Sequence, residues 1–64
     1  MNYPLRLVKT ADGLWEGESQ TDKFLLAHLA DGMVAVKESE LSRLRFLAAT
    51  HGWQLLLPGE QFQG

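Results

Sequence analysis

Phe24 to Leu57 reads FLLAHLADGMVAVKESELSRLRFLAATHGWQLLL, and this stretch decides the fold. A candidate hairpin, a helix and a closing strand follow one another in it with few linking residues. Such an order is typical of a small α+β domain. We therefore expect a small antiparallel β-sheet of four to five short strands, with one α-helix over about 39–51 packed on one of its faces.

The helix over 39–51 is the best-marked element of the chain. Ser39 can accept a hydrogen bond from the free backbone N–H groups of the first turn. Gly52 supplies the left-handed residue that commonly ends a helix. At helical spacing a single apolar stripe faces the core, and it consists of Leu41, Leu44, Leu47 and Ala48.

Shorter elements flank this region on both sides. Residues 3–9 alternate in polarity, Asp12-Gly13 is a strong turn signal, and residues 14–16 return as a second strand. Residues 17–22 lose apolar periodicity and predict a loop. Residues 54–57 predict a last strand that is covered on both faces, and 59–64 predict a flexible tail.

Residues 24–37 allow two interpretations. Asp31-Gly32 favours a two-residue hairpin turn that joins a strand over 24–30 to a strand over 33–37. The alternative is a short helix over 21–31, capped by Thr21 and ended by Gly32, because Leu and Ala are good helix formers and nothing β-branched occurs over 24–30. The four-to-five-strand sheet follows from the hairpin interpretation.

The opening of the chain resembles a known family. Tyr3-Pro4, an alternating run, and then Asp12-Gly13-Leu14-Trp15 are similar to the start of HicB-type antitoxin domains, which begin with a comparable hairpin. Beyond Glu16 the chain lacks the Pro-Gly-Cys turn and the acidic helix of that family. The resemblance implies an N-terminal hairpin and carries over no function.

Length and composition restrict the class of protein. A chain of 64 residues holds one domain, and without cysteine it has no disulfide to stabilise a small core. No apolar run approaches the roughly 18 residues of a membrane span, so we expect a cytoplasmic protein without membrane contact. Eight acidic against six basic residues give a net charge of −2, which disfavours nucleic acid as the partner.

The sequence does not suggest an enzyme. His28 and His51 have no cysteine to partner, and no serine lies in a recognisable nucleophile motif. Glu16 and Glu18 share a strand face but are typical of a solvated surface. No phosphate loop, zinc spacing or calcium loop occurs, so we expect no catalytic residues, no cofactor and no metal.

Two groups of apolar side chains exceed what the expected core can use. Phe46 lies opposite the core stripe of the helix, together with Arg43 and Thr50, in the mixture of aromatic and Arg that marks binding hot spots. Phe46 could instead pack under the tail or the first strand. On the hairpin interpretation a second surface is left uncovered, and a homodimer is its expected use; its members are Phe24, Leu26, His28 and Met33.

These features predict a non-enzymatic protein-protein interaction module. Its size, acidity and lack of cysteine are similar in kind to the compact inhibitors that phages and mobile elements make against host proteins. The alternative is a small DNA-binding regulator or an antitoxin-like homodimer. Lys37, Arg43 and Arg45 favour that alternative, whereas Glu38 and Glu40 at the start of the helix oppose it.

Overall fold

The computed structural model describes residues 2–64, and within them the chain forms three strands and two helices. The α+β class is confirmed, but four to five strands and one helix is wrong in detail. Helix α2 begins with a 3₁₀ turn, Glu38–Glu40, that continues directly into the α-helix Leu41–Thr50. The other elements are β1 (Tyr3–Lys9), β2 (Trp15–Gly17), α1 (Gln20–Leu29) and β3 (Trp53–Leu56).

The sheet is mixed rather than antiparallel, with the order β2-β1-β3. The predicted N-terminal hairpin is confirmed: β1 and β2 run antiparallel, with Leu7 opposite Gly17, and Gly13 has the positive φ of +85° in the turn between them. Strand β3 instead runs parallel to β1, with Leu5 opposite Leu55. This direction follows from the helical crossover between β2 and β3, which returns the chain to the starting end of β1.

A proline lies in the central strand at a position that tolerates it. Strand β2 pairs only with residues 7–9, whereas β3 pairs with residues 3–6. The N–H of Tyr3 donates to the carbonyl of Gly52, so it points toward β3, and the nitrogen of Pro4 points the opposite way, where β2 does not reach. No ladder hydrogen bond is lost there.

The hairpin predicted over 24–37 is wrong, because residues 20–29 form helix α1. Ser19 caps this helix: its Oγ accepts from the backbone N–H of Asp22, and the Asp22 carboxylate accepts from the backbone N–H of Ser19. This reciprocal pair is a capping box. The predicted loop over 17–22 is therefore helical from Gln20 onward, and the cap is Ser19 rather than Thr21.

The Asp31-Gly32 turn ends a helix instead of joining two strands. Both residues take positive φ, +54° and +87°, as a two-residue hairpin turn would require. The N–H of Gly32 donates to the carbonyl of Ala27, a hydrogen bond that closes helix C-termini. Of the strand predicted over 33–37, only a single bridge between Val36 and Trp15 forms.

Both helices pack on the same face of the sheet. Leu5 and Leu7, two residues apart on β1, belong to one core cluster with the buried side chains of α1 and α2. The core stripe predicted for α2 is confirmed for Leu41, Leu44 and Ala48, while Leu47 is half-buried. No helix within residues 2–64 is long and apolar enough to cross a membrane.

The C-terminal end of α2 agrees with the sequence prediction, whereas its N-terminal end does not. Gly52 has the expected positive φ of +77°. Ser39 does not cap the helix, because it lies inside the 3₁₀ turn, whose N-cap Lys37 makes no side-chain cap hydrogen bond. The helix begins without a side-chain cap because residues 38–40 wind as a tight turn that enters α2 directly.

Candidate protein-binding surface

Phe46 stands at the centre of the outer side of α2, and 71% of it is exposed. It lies opposite Leu44 and Ala48, which point into the core. Its neighbours one turn away are the small exposed residues Ser42 and Ala49. The aromatic ring therefore projects from the helix, and neither the tail nor β1 buries it.

Helix α1 repeats this arrangement. Phe24 is 74% exposed and lies opposite the buried residues Leu26 and Leu29. His28 follows Phe24 by four residues and is also exposed. Since both helices lie on one face of the sheet, both phenylalanines point away from the sheet. We call this surface the outer helical face; its members are Phe24, His28, Arg43, Phe46 and Thr50.

Leu26 and Met33 do not join this surface. Leu26 is 0% exposed and belongs to the core, because the helical spacing of α1 turns it away from Phe24. Met33 lies in the loop after α1 and is 58% exposed. The free sheet face expected to carry Phe24, Leu26, His28 and Met33 together does not exist, since the residues that were to form it are divided between a helix and a loop.

The two polar members of the outer helical face that belong to α2, Arg43 and Thr50, are hydrogen-bonded within their own helix. The Arg43 Nη2 and Nε both donate to Oε1 of Glu40, at 2.6 and 3.1 Å. The hydroxyl of Thr50 donates to the carbonyl of Leu47 at 2.6 Å. These bonds hold both side chains close to the helix and leave Phe46 as the most prominent group between them.

Arg43 also borders an open groove of about 320 Å³ beside the outer helical face. Its floor is apolar and its rim carries one anionic and two cationic side chains. Met33 contributes an exposed methionine, whose flexible side chain suits binding surfaces that adapt to a partner. The lining residues are Leu14, Ala30, Met33, Ala35, Val36, Lys37, Glu40 and Arg43.

The outer edge of β3 is covered by charged groups. Arg45 donates from Nη1 to the carbonyl of Leu55 at 3.0 Å, and its Nη2 contacts both carboxylate oxygens of Glu60. Glu60 also accepts from the backbone N–H of Leu57. That bond first, and the guanidinium second, hold the pKa of Glu60 below its ordinary value of 4.5. A charged cover of this kind opposes the addition of another strand.

The rings of His28, His51 and Trp53 form an aromatic cluster between α1 and the end of α2. The rings of His28 and His51 lie 5.3 Å apart between centroids, and His51 stacks on Trp53 at 4.7 Å with an angle of 19° between the planes. The sequence alone does not predict this cluster, because its members come from α1, the end of α2 and the start of β3. Within residues 2–64 no three His, Cys, Asp or Glu side chains are grouped as metal ligands.

Comparison with known proteins identifies no relative of this chain. No family model, curated protein or solved structure matches the chain. The resemblance of residues 3–15 to HicB-type antitoxin domains therefore gains no support from a family match. Function is inferred from the residues of the outer helical face and the groove beside it.

Proposed function

We propose that this chain is a non-enzymatic protein-binding module that receives its partner on the outer helical face. The compact inhibitors that phages and mobile elements direct against host proteins are the class it fits by size and composition. The observation that carries the proposal is the position of Phe46, which is 71% exposed on the outer side of α2 between the small residues Ser42 and Ala49. Phe24 gives α1 the same feature.

The energy available from the two rings is large for so small a domain. Burying one Phe side chain stabilises by about 1.5–3 kcal/mol, so Phe24 and Phe46 together offer roughly 3–6 kcal/mol. A micromolar complex has a binding free energy of about 8 kcal/mol. The two phenylalanines therefore offer a substantial part of the gross interaction energy of such a complex, from which the entropic cost of association is subtracted.

The shape of the surface also indicates what the partner must offer. Ser42 and Ala49 are short, so a partner can approach the α2 backbone closely on either side of Phe46. An apolar pocket that accepts the ring is the complement of such a surface, and hot-spot side chains commonly fill pockets of this kind. The open groove that Met33 and Arg43 line can accept an apolar side chain of the same partner.

The DNA-binding alternative receives less support from the geometry. Arg43 is bound by Glu40, and Arg45 is bound by Glu60 and the carbonyl of Leu55. Phosphate recognition requires Lys and Arg side chains that neutralise phosphates and so release the counterions condensed on the nucleic acid. Here the two arginines of α2 would first have to leave carboxylates of their own chain.

Affinity capture with matched variants tests the proposal. The wild-type chain and the variants Phe46→Asp and Ala11→Asp are each used to capture proteins from a lysate of the native host, and the recovered proteins are compared. Ala11 lies exposed in the β1–β2 turn, so it receives the same charge on a different surface. We expect a stoichiometric protein with wild type and Ala11→Asp that is lost with Phe46→Asp. Equal recovery by all three proteins would contradict the proposal.

A further inference from the structure

The chain has two histidines, and the fold brings both of them together. His28 and His51 are far apart in the sequence, yet their ring centroids are separated by 5.3 Å. Both side chains are exposed. Neutral imidazole is the commonest protein ligand of transition metals, so a pair of neighbouring imidazoles at a surface is a candidate for sharing one ion.

The separation of the rings fits such a shared ion. Zinc binds an imidazole nitrogen at about 2.0–2.1 Å, which places each ring centroid about 3 Å from the metal and two tetrahedral ligands about 5 Å apart between centroids. The observed 5.3 Å agrees with that spacing. The stack of His51 on Trp53 fixes one of the two rings, and a ligand held in place by its neighbours binds a metal more tightly.

The local backbone also favours a cation at this place. His28 lies in the last turn of α1, and His51 is the C-cap residue of α2. The C-terminal end of a helix carries a partial negative charge. Each of the two imidazoles therefore belongs to the C-terminal end of a helix, where a bound cation is favoured.

We propose that His28 and His51 form a binding site for one divalent transition-metal ion of the nitrogen-preferring class, represented by Zn²⁺. The two protein ligands leave two positions of a tetrahedral ion for water. The site shares His28 with the outer helical face but requires neither Phe24 nor Phe46, so metal binding can be tested apart from the proposed protein-binding function.

Calorimetric titration of the untagged full chain with Zn²⁺, at about pH 7.5 where ordinary imidazole is neutral, tests the proposal. We expect one equivalent of Zn²⁺ to bind. His28→Gln and His51→Gln should each weaken binding by more than about tenfold, because even loss of an outer-shell partner weakens metal sites by about 10–100-fold. Both residues are exposed, so both variants should fold, and thermal melting confirms that they do.

Glu18→Gln is the matched control, because it removes an exposed carboxylate away from the histidine pair. This variant should bind Zn²⁺ as the wild type does. The proposal is overturned if wild type shows no saturable binding, if either histidine variant keeps the wild-type affinity, or if Glu18→Gln loses affinity as strongly as the histidine variants do.

Discussion

The indole N–H of Trp15 donates a 3.0 Å hydrogen bond to the carboxylate of Glu38. It joins β2 to the 3₁₀ turn at the start of α2. Lys9 completes the arrangement, with its ammonium 3.6 Å from Glu38 and 5.1 Å from the centroid of the indole ring. Trp15 is buried, so the bond gives the polar atom of a core side chain the partner that burial requires.

Glu38 should make the free energy of unfolding decrease as the pH falls into the acid range. The bond from Trp15 first, and the charge of Lys9 after it, hold the pKa of Glu38 below its ordinary value of 4.5. A carboxyl with a lowered folded pKa stabilises fully above its unfolded pKa, and the stabilisation is lost as pH falls through the folded pKa. Glu38→Gln keeps an oxygen that can accept from Trp15 but has no charge to titrate.

Urea unfolding of wild type and Glu38→Gln between about pH 7 and pH 3 measures this effect. The wild type should be the more stable protein at neutral pH, and the difference in unfolding free energy should shrink below about pH 4.5. A difference that stays constant across the range would show that the charge of Glu38 contributes nothing.

Glu60 should protect the backbone of the residue that follows β3. Its carboxylate accepts from the N–H of Leu57 at 2.8 Å, and Arg45 holds that carboxylate in place. Glu60→Ala should therefore accelerate hydrogen exchange of the Leu57 amide relative to its intrinsic rate. NMR-detected exchange gives the rate, with Gln61→Ala as the neighbouring control. Unchanged protection in Glu60→Ala would mean that another group shields this amide.

Alanine substitutions along α1 distinguish its helical packing from the strand first expected there. In a strand Phe24 and Leu26 would share a face and respond alike, whereas in the helix they point in opposite directions. Leu26→Ala should lower the free energy of unfolding by about 2–5 kcal/mol. Phe24→Ala should change it by less than about 1 kcal/mol. Chemical denaturation of both variants decides this, and similar losses would favour the strand.

The same contrast applies to α2, where Leu44 is fully buried and Phe46 is exposed. Leu44→Ala should destabilise by about 2–5 kcal/mol, and Phe46→Asp by less than about 1 kcal/mol. A large loss in Phe46→Asp would place this ring in the core and remove the basis for a binding role. The measurement is again denaturant unfolding, carried out beside Ala11→Asp.

Substitution of Gly17 should destabilise the fold, because the backbone of α1 packs directly against this residue. A Cβ at this position would lie 2.6 Å from the Cα of Lys23 and equally close to the backbone of Asp22. Backbone atoms cannot turn aside as a flexible side chain can, so Gly17→Ala should cost about 1–3 kcal/mol or more. Thermal unfolding beside Glu18→Ala tests this expectation, and equal melting temperatures would contradict the close packing.

The elements that sequence analysis predicted correctly are those that local chemistry determines. Helix α2 is marked by its apolar stripe and by Gly52, and the first hairpin by the Asp12-Gly13 turn. The error at 24–37 came from Asp31-Gly32, whose positive φ values suit a hairpin turn and a helix C-terminus equally well. The signal that separates the two was present, because Ser19 and Asp22 have the spacing of a capping box.

Other features depend on contacts between distant parts of the chain. The parallel pairing of β3 with β1 is one such feature, and the meeting of His28 with His51 is another. Of the surface residues, Phe46 is exposed, which is one of the two interpretations that the sequence left open. The helical wheel decides the direction of its side chain but not whether the tail or β1 covers it. Leu26 was misplaced because a strand and a helix orient residue 26 differently relative to residue 24.

Site-specific photo-crosslinking in the living host is the decisive measurement for the proposed function. A photoreactive phenylalanine analogue replaces Phe46, and the same analogue replaces Arg6, an exposed residue of β1 on the opposite face of the sheet, as the control. A protein docked on the outer helical face predicts an adduct of one defined mass from position 46 and none from position 6. An adduct of twice the mass of the chain would show a second copy on this face. No adduct from position 46, or the same adducts from both positions, would contradict a partner-binding role for the outer helical face.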